Sequence, residues 1–230
     1  MKIFPFLSCL SLAGLLSTVC SATTFVTSGG TALLNNGLVN SFGATTIDFS
    51  SGTLTVPTYT EDGVIYSGLS AGSITGSSAS GECAQPPADT TSYLCVGPSR
   101  NTPVTASFSS LINYFGFYVG SVDTYNSLKF YDGNTLKFTL TGSQIATRAG
   151  IAADGNQSVG RFINIFATTV ADRFNKVEII STSNALETDN HAFALLRDVD
   201  IPTSDGNVPE PGTFLTIIPA AAFLYFRRKR

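Results

Sequence analysis

The sequence predicts an all-β fold, a two-sheet antiparallel sandwich that is jelly-roll-like, with an N-terminal signal helix before it and a C-terminal transmembrane helix after it. Three observations carry the prediction. Short segments rich in Val, Ile, Thr, Tyr and Phe recur along the middle of the chain, about ten in number, several of them alternating apolar with polar residues. Clusters of Gly, Asn, Asp and Ser separate them, and these residues favour tight turns. Only one stretch between the two ends has helical character, and no tandem repeat of solenoid type is visible. Three regions follow: 1–22, 23–203 and 204–230.

Residues 1–22 carry one early cation, Lys2, then an apolar run through Leu7, Leu10, Leu12, Leu15, Leu16 and Val19, and finish on the small residues Ser21 and Ala22. That is the layout of a secretory signal peptide, with cleavage expected after Ala22. Cys20 raises the alternative of a lipoprotein, but Val19 stands where a small residue normally precedes a lipidated cysteine.

The stretch 23–43 is small and polar, with Gly29-Gly30 and Asn35-Asn36-Gly37 as turn signals. Strands are expected at 45–49, 52–56 and 63–66, then a Ser/Gly-rich loop over 68–81 and a further strand at 93–96. The segment 103–110 places Val104, Ala106 and Phe108 on one face against Thr105, Ser107 and Ser109 on the other, the period of a half-buried strand. In 113–119 both faces are apolar, which predicts cover on both sides. Strands at 128–131 and 135–140 are joined through Asp132-Gly133-Asn134, a turn that tolerates positive φ and so predicts a hairpin. A helix of one or two turns is expected within 142–153, and strands at 159–168, 175–181 and 191–198. The predicted core is Ile47, Phe49, Phe108, Phe115, Phe117, Phe130, Phe138, Phe162, Ile165, Val177, Ile179 and Phe193.

The last 23 residues change character twice. The polar, stiff segment Val208-Pro209-Glu210-Pro211-Gly212 leads into an almost uncharged run ending at Phe226, and four cations follow: Arg227, Arg228, Lys229 and Arg230. The prolines hold the chain extended, in a form a processing enzyme can grip. The apolar run, 212–226, favours a bilayer as a helix, and the cations resist translocation. A permanent tail anchor is the alternative reading. The run is short for a full span of about 20 residues and is broken by Pro219, so it suits a temporary hold better.

This end, from Val208-Pro209-Glu210-Pro211 through the apolar helix to the Arg/Lys cluster, resembles the PEP-CTERM sorting signal of bacterial exosortase systems, also catalogued as an ice-binding-protein C-terminal motif. The resemblance implies recognition at Pro-Glu-Pro by an exosortase-like membrane protease, transient membrane residence and delivery of the upstream domain to the cell surface or extracellular matrix. The segments 114–126 and 187–192 also resemble exosortase-dependent surface proteins of cyanobacterial type. That resemblance implies a secreted β-domain and carries over no catalytic residue. Ice binding does not follow from a sorting tag, and no regular Thr ladder is apparent in the sequence.

With a signal at one end and cytoplasmic cations at the other, the domain between them is expected outside the cytoplasm, first on an inner-membrane-anchored precursor and then at the surface. Cys9 and Cys20 leave with the signal, so Cys83 and Cys95 are expected to form a disulfide. A metal pair is the alternative and needs more ligands than the neighbourhood offers. The 185 residues of 23–207 hold 15 acidic against 8 basic side chains, a net charge of −7, which argues against nucleic-acid binding.

Candidates for chemistry are few. His191 is the single histidine, which excludes two-histidine zinc helices, and no Gly-x-Ser-x-Gly elbow is present. A Ser-His-Asp triad around His191 is set against a hydrogen-bonded structural histidine, and the latter is favoured. Glu187 and Asp189, with Asn190, are candidate Ca²⁺ ligands, as are Asp123 and Asn126; turn capping by Asp and Asn is the favoured alternative, so no metal or cofactor is expected. Tyr114, Tyr118, Tyr125 and Tyr131 would suit stacking on sugar rings if exposed, which makes a carbohydrate-binding module for an extracellular polysaccharide the second functional expectation. The first is a non-enzymatic surface or matrix protein.

Overall fold

In the computed structural model, residues 24–29, 44–158, 160–197 and 201 are described. Ala22, the motif Val208, Pro209, Glu210, Pro211 and Gly212, the apolar run 212–226 and the cations Arg227, Arg228, Lys229 and Arg230 lie outside the described residues. Among the described residues no helix is long and apolar enough to cross a membrane.

Two seven-stranded antiparallel sheets pack face to face. The strands in chain order are β1 (Thr24–Ser28), β2 (Thr45–Ile47), β3 (Thr53–Thr55), β4 (Thr58–Glu61), β5 (Val64–Ser67), β6 (Ile74–Thr75), β7 (Tyr93–Val96), β8 (Val104–Ile112), β9 (Tyr114–Val119), β10 (Asn126–Asp132), β11 (Thr135–Thr141), β12 (Arg161–Ala167), β13 (Phe174–Ser181) and β14 (Leu186–Ala194). Among the described residues one α-helix, α1 (Gly142–Ala149), follows β11, and a single 3-10 turn, Val170–Asp172, follows β12. The first sheet runs β1-β12-β9-β14-β7-β6, with β2 also on β14; the second runs β11-β10-β13-β8-β5-β4-β3.

Among the described residues fourteen strands stand where the sequence predicts about ten. The additions, β1, β4 and β6, are short or lie in stretches too polar to announce themselves. β1 comes from the segment read as turn-rich; its pairing with β12, Val26 opposite Ile165, supplies what its composition does not. The β10–β11 hairpin forms as expected, with the turn centred one residue later: Asp132 pairs with Thr135, and Gly133 takes the positive φ, 56°, at the first central position.

The core between the sheets is built from alternate residues of each. Ile47, Phe115, Phe117, Ile163 and Ile165 come from the first sheet, and Tyr66, Ala106, Phe130, Val177 and Ile179 from the second. Phe130 stacks on Phe138 at 4.3 Å and meets Phe174 edge-on at 4.9 Å. Of the predicted core residues, Phe193 is only partly buried, and Phe162 belongs elsewhere. It lies on the outward face of the first sheet in a second apolar layer with Tyr114, Tyr118, Phe166 and Leu196. Strand β9 is therefore buried on both faces, as its unbroken apolar pattern predicts. Parity explains the displacement of Phe162: successive side chains point to opposite faces, so Phe162 cannot share the inner face with Ile163 and Ile165.

The helix packs against β1 and β11, the edge strands of the two sheets, and against β10. Its first turn is closed by a capping box: the Thr141 hydroxyl accepts from Gln144 N–H at 3.2 Å, and Gln144 Oε1 accepts from Thr141 N–H at 2.9 Å. Gly150, with φ 70°, ends it.

Candidate functional site

The strand that organises the candidate site is β14. Its first part, Leu186 to Thr188, pairs with β7, and its later part, His191 to Phe193, pairs with β2 on the same edge. Its other edge pairs with β9 from Thr188 to Ala194, but the register slips between Asp189 and Ala192, and Asn190 sits at φ 50°. A bulge of this kind inserts a residue and re-aims those beside it. Glu187 and Asp189 consequently point outward, while Thr188 and His191 both point into the core. The sequence carried a signal for this in Asn190, since Asn tolerates the left-handed region better than most residues. The strand begins at Leu186, five residues before the start that the sequence pattern predicts at His191.

The inward side is structural. His191 is buried, its Nδ1 lies 2.9 Å from the Tyr66 hydroxyl and its Nε2 lies 2.9 Å from the Thr188 hydroxyl. A neutral ring has one proton, so it donates to one hydroxyl and accepts from the other. Burial holds its pKa down, to about 3 from the ordinary 6.5, and no carboxylate orients it as a triad would require. Phe49 and Phe115 pack edge-on against the ring at 5.0 and 5.3 Å.

On the outward side the chain from Cys83 to Cys95 folds over Glu187 and Asp189. The expected disulfide is present, with Cα atoms 6.1 Å apart. Three polar contacts hold the segment down. Glu187 Oε1 accepts from Ala84 N–H at 2.8 Å, the Tyr118 hydroxyl donates to Pro87 O at 2.7 Å, and Thr91 Oγ1 lies 2.7 Å from Asp189 Oδ2. The same Thr91 oxygen lies 2.7 Å from Asp89 Oδ1. Glu187 also meets Gln157 Nε2 at 3.4 Å, and Gln157 in turn donates to Ser121 Oγ at 2.8 Å. Burial pushes the Glu187 carboxyl above its ordinary value. For Asp189, burial comes first and the neighbouring Asp89 carboxyl second, and together they push it to about 9.

Beside this segment a cleft of about 540 Å³ opens, its lining including Ser78, Ser80, Glu82, Gln157, Asn184 and Glu187. The Arg100–Glu82 ion pair, 2.7 Å, fixes one of the lining side chains. The volume falls within the usual range for small-ligand sites, about 300–1,000 Å³.

Glu187 and Asp189 are thus side by side on one face, but each is taken by a different partner. Among the described residues no group of three or more His, Cys, Asp or Glu is arranged to hold a metal ion. Asp123 and Asn126 form a turn instead, Asn126 Oδ1 accepting from Asp123 N–H at 2.6 Å. The four tyrosines do not form a sugar platform. Tyr114 and Tyr118 are buried in the outer apolar layer, the Tyr125 hydroxyl donates to Asn184 O at 3.1 Å, and Tyr131, on the second sheet, lies under Lys176 at 4.5 Å. Comparison with protein-family models, with curated proteins and with solved structures finds no match for this chain.

Proposed function

We propose that the chain is an exported cell-surface or extracellular-matrix protein without catalytic activity, whose sandwich, which we read as jelly-roll-like, is the cargo of a C-terminal sorting signal. The carrying observation is the composite end of the sequence: the Val208-Pro209-Glu210-Pro211-Gly212 segment, the apolar run and the cations from Arg227 to Arg230. Two structural features support the reading. The Cys83–Cys95 disulfide suits an oxidising compartment beyond the cytoplasm. The single histidine, enclosed with both nitrogens occupied, supports a cargo that does no acid–base chemistry. The partner is an exosortase-like membrane protease, met while the precursor is held in the inner membrane. Nucleic acid and cofactors have no part.

The test is Glu210→Ala in a host that carries such a protease. The variant should accumulate as a full-length, membrane-bound species on fractionation; release at the wild-type level would overturn the proposal. A second reading, a carbohydrate-binding module for an extracellular polysaccharide, is favoured by the polar cleft beside Glu187. Glycan-array binding that disappears in Glu187→Gln would establish it, and silence across the array favours the structural role.

A further inference from the structure

The contact between Thr91 and the two aspartates cannot be made with both carboxyls ionised. A hydroxyl has one proton to give, yet Thr91 Oγ1 stands 2.7 Å from a carboxylate oxygen of Asp89 and 2.7 Å from one of Asp189. One of these contacts needs a proton from the carboxyl side. The remaining oxygens, Asp89 Oδ2 and Asp189 Oδ1, are buried with no hydrogen-bond partner, and Thr91 Oγ1 is the atom that links the two carboxyls. Asp189 is fully enclosed, so water cannot substitute for the missing donor. Only two carboxylate oxygens are unengaged, far short of the six to eight that Ca²⁺ takes. A proton fits where a cation does not.

We propose that the segment 84–92 is a proton-dependent clasp, in which one proton held between Asp89 and Asp189 keeps the segment on the outward face of β14 and loss of that proton frees it. When the proton leaves for solvent, two adjacent carboxylates remain in an enclosed site and repel each other. The contact that fails is the one between Thr91 and β14. The other tethers, at Ala84 and Pro87, lie nearer the Cys83 end.

The other groups around the pair do not supply the switch. On β14, Glu187 lies on the same side of the strand as Asp189, and Asn190 Nδ2 donates to Asp189 Oδ2 at the long distance of 3.5 Å. On β7, the Tyr93 hydroxyl donates to Ser77 O at 3.0 Å and is pushed up to about 12, above the range in which the clasp opens. On β9, the Tyr118 hydroxyl is engaged by Pro87 O. Arg100, whose charge acts on Tyr93, is held by Glu82.

Hydrogen exchange of the full-length protein, corrected for the intrinsic pH dependence of exchange, tests the clasp. In the wild type, protection of amides in 84–92 should fall by about tenfold between pH 7 and pH 10. In Asp189→Asn, whose amide can donate to Thr91 Oγ1 without titrating, protection should persist over the same range, and Asp89→Asn serves if the first variant does not fold. Constant wild-type protection up to pH 10 would overturn the clasp, as would release of the Asn variant at the same pH. So would a rise in melting temperature of the wild type alone with millimolar Ca²⁺ at pH 8, because the pair would then be a cation site.

Discussion

Asp189 and His191 lie two positions apart on one strand, and enclosure moves both away from their ordinary ionisation in ways that oppose each other. Asp189 is raised from 3.8 to about 9 in the folded chain, so it binds a proton more tightly folded than unfolded. Its contribution is complete below about pH 4 and is lost as pH rises toward 9, by at most about 1.4 kcal/mol per pH unit. His191 is lowered from 6.5 to about 3, so its contribution is present above pH 6.5 and lost as pH falls toward 3. Between about pH 4 and 6.5 the slopes of Asp189 and His191 oppose each other, and above 6.5 the aspartate acts without the histidine; Glu187, also raised by burial, works in the same direction as Asp189. Chemical-denaturation midpoints should therefore be highest on the acid side of neutral and decline from pH 6.5 to 9. Asp189→Asn should remove the alkaline decline and be more stable than wild type at pH 8, with little difference at pH 4. An Asn variant that declines in parallel with the wild type would contradict this account.

At the scale of elements, two close fits decide how β9 and α1 sit. Gly116 lies in the outward layer of β9, where an added Cβ would stand 2.6 Å from the Tyr114 hydroxyl and 2.7 Å from the Phe162 ring. Both rings are buried, so neither can move aside cheaply. Gly116→Ala should cost about 1–3 kcal/mol by overpacking, read as a lower urea midpoint with unchanged slope. For α1 the capping box is the local determinant. Thr141→Ala removes the acceptor for Gln144 N–H and should cost about 1 kcal/mol, whereas Thr141→Ser should be close to neutral. The turn at Gly133 and the full burial of β9 were legible because each rests on local composition. The bulge in β14 had only the weak local signal of Asn190, because its place is set by which strand lies beside each half of β14, β7 first and β2 after.

For the whole molecule, the disulfide joins residues 12 apart and closes the segment that covers Glu187 and Asp189. Replacing Cys83 and Cys95 together by Ser should lower stability by about 3 kcal/mol on the chain-entropy account. The pH decline assigned to Asp189 should survive in that variant, since the carboxyl pair does not depend on the bond. Loss of the decline would mean that the disulfide, and not the shared proton, determines the environment of Asp189.

The sequence alone determined the class of fold, the hairpin, the cysteine pairing and most of the inter-sheet core. Those follow from the two-residue alternation, from turn chemistry and from the count of cysteines outside the N-terminal apolar stretch, all properties read along the chain. Only the tertiary structure decided that Phe162, Tyr114 and Tyr118 form an outer layer, that His191 is held by Tyr66, and that Asp89 reaches Asp189. Those pairings join residues as far apart as 125 positions, and a one-dimensional pattern carries no information about which distant polar groups will share an enclosed space.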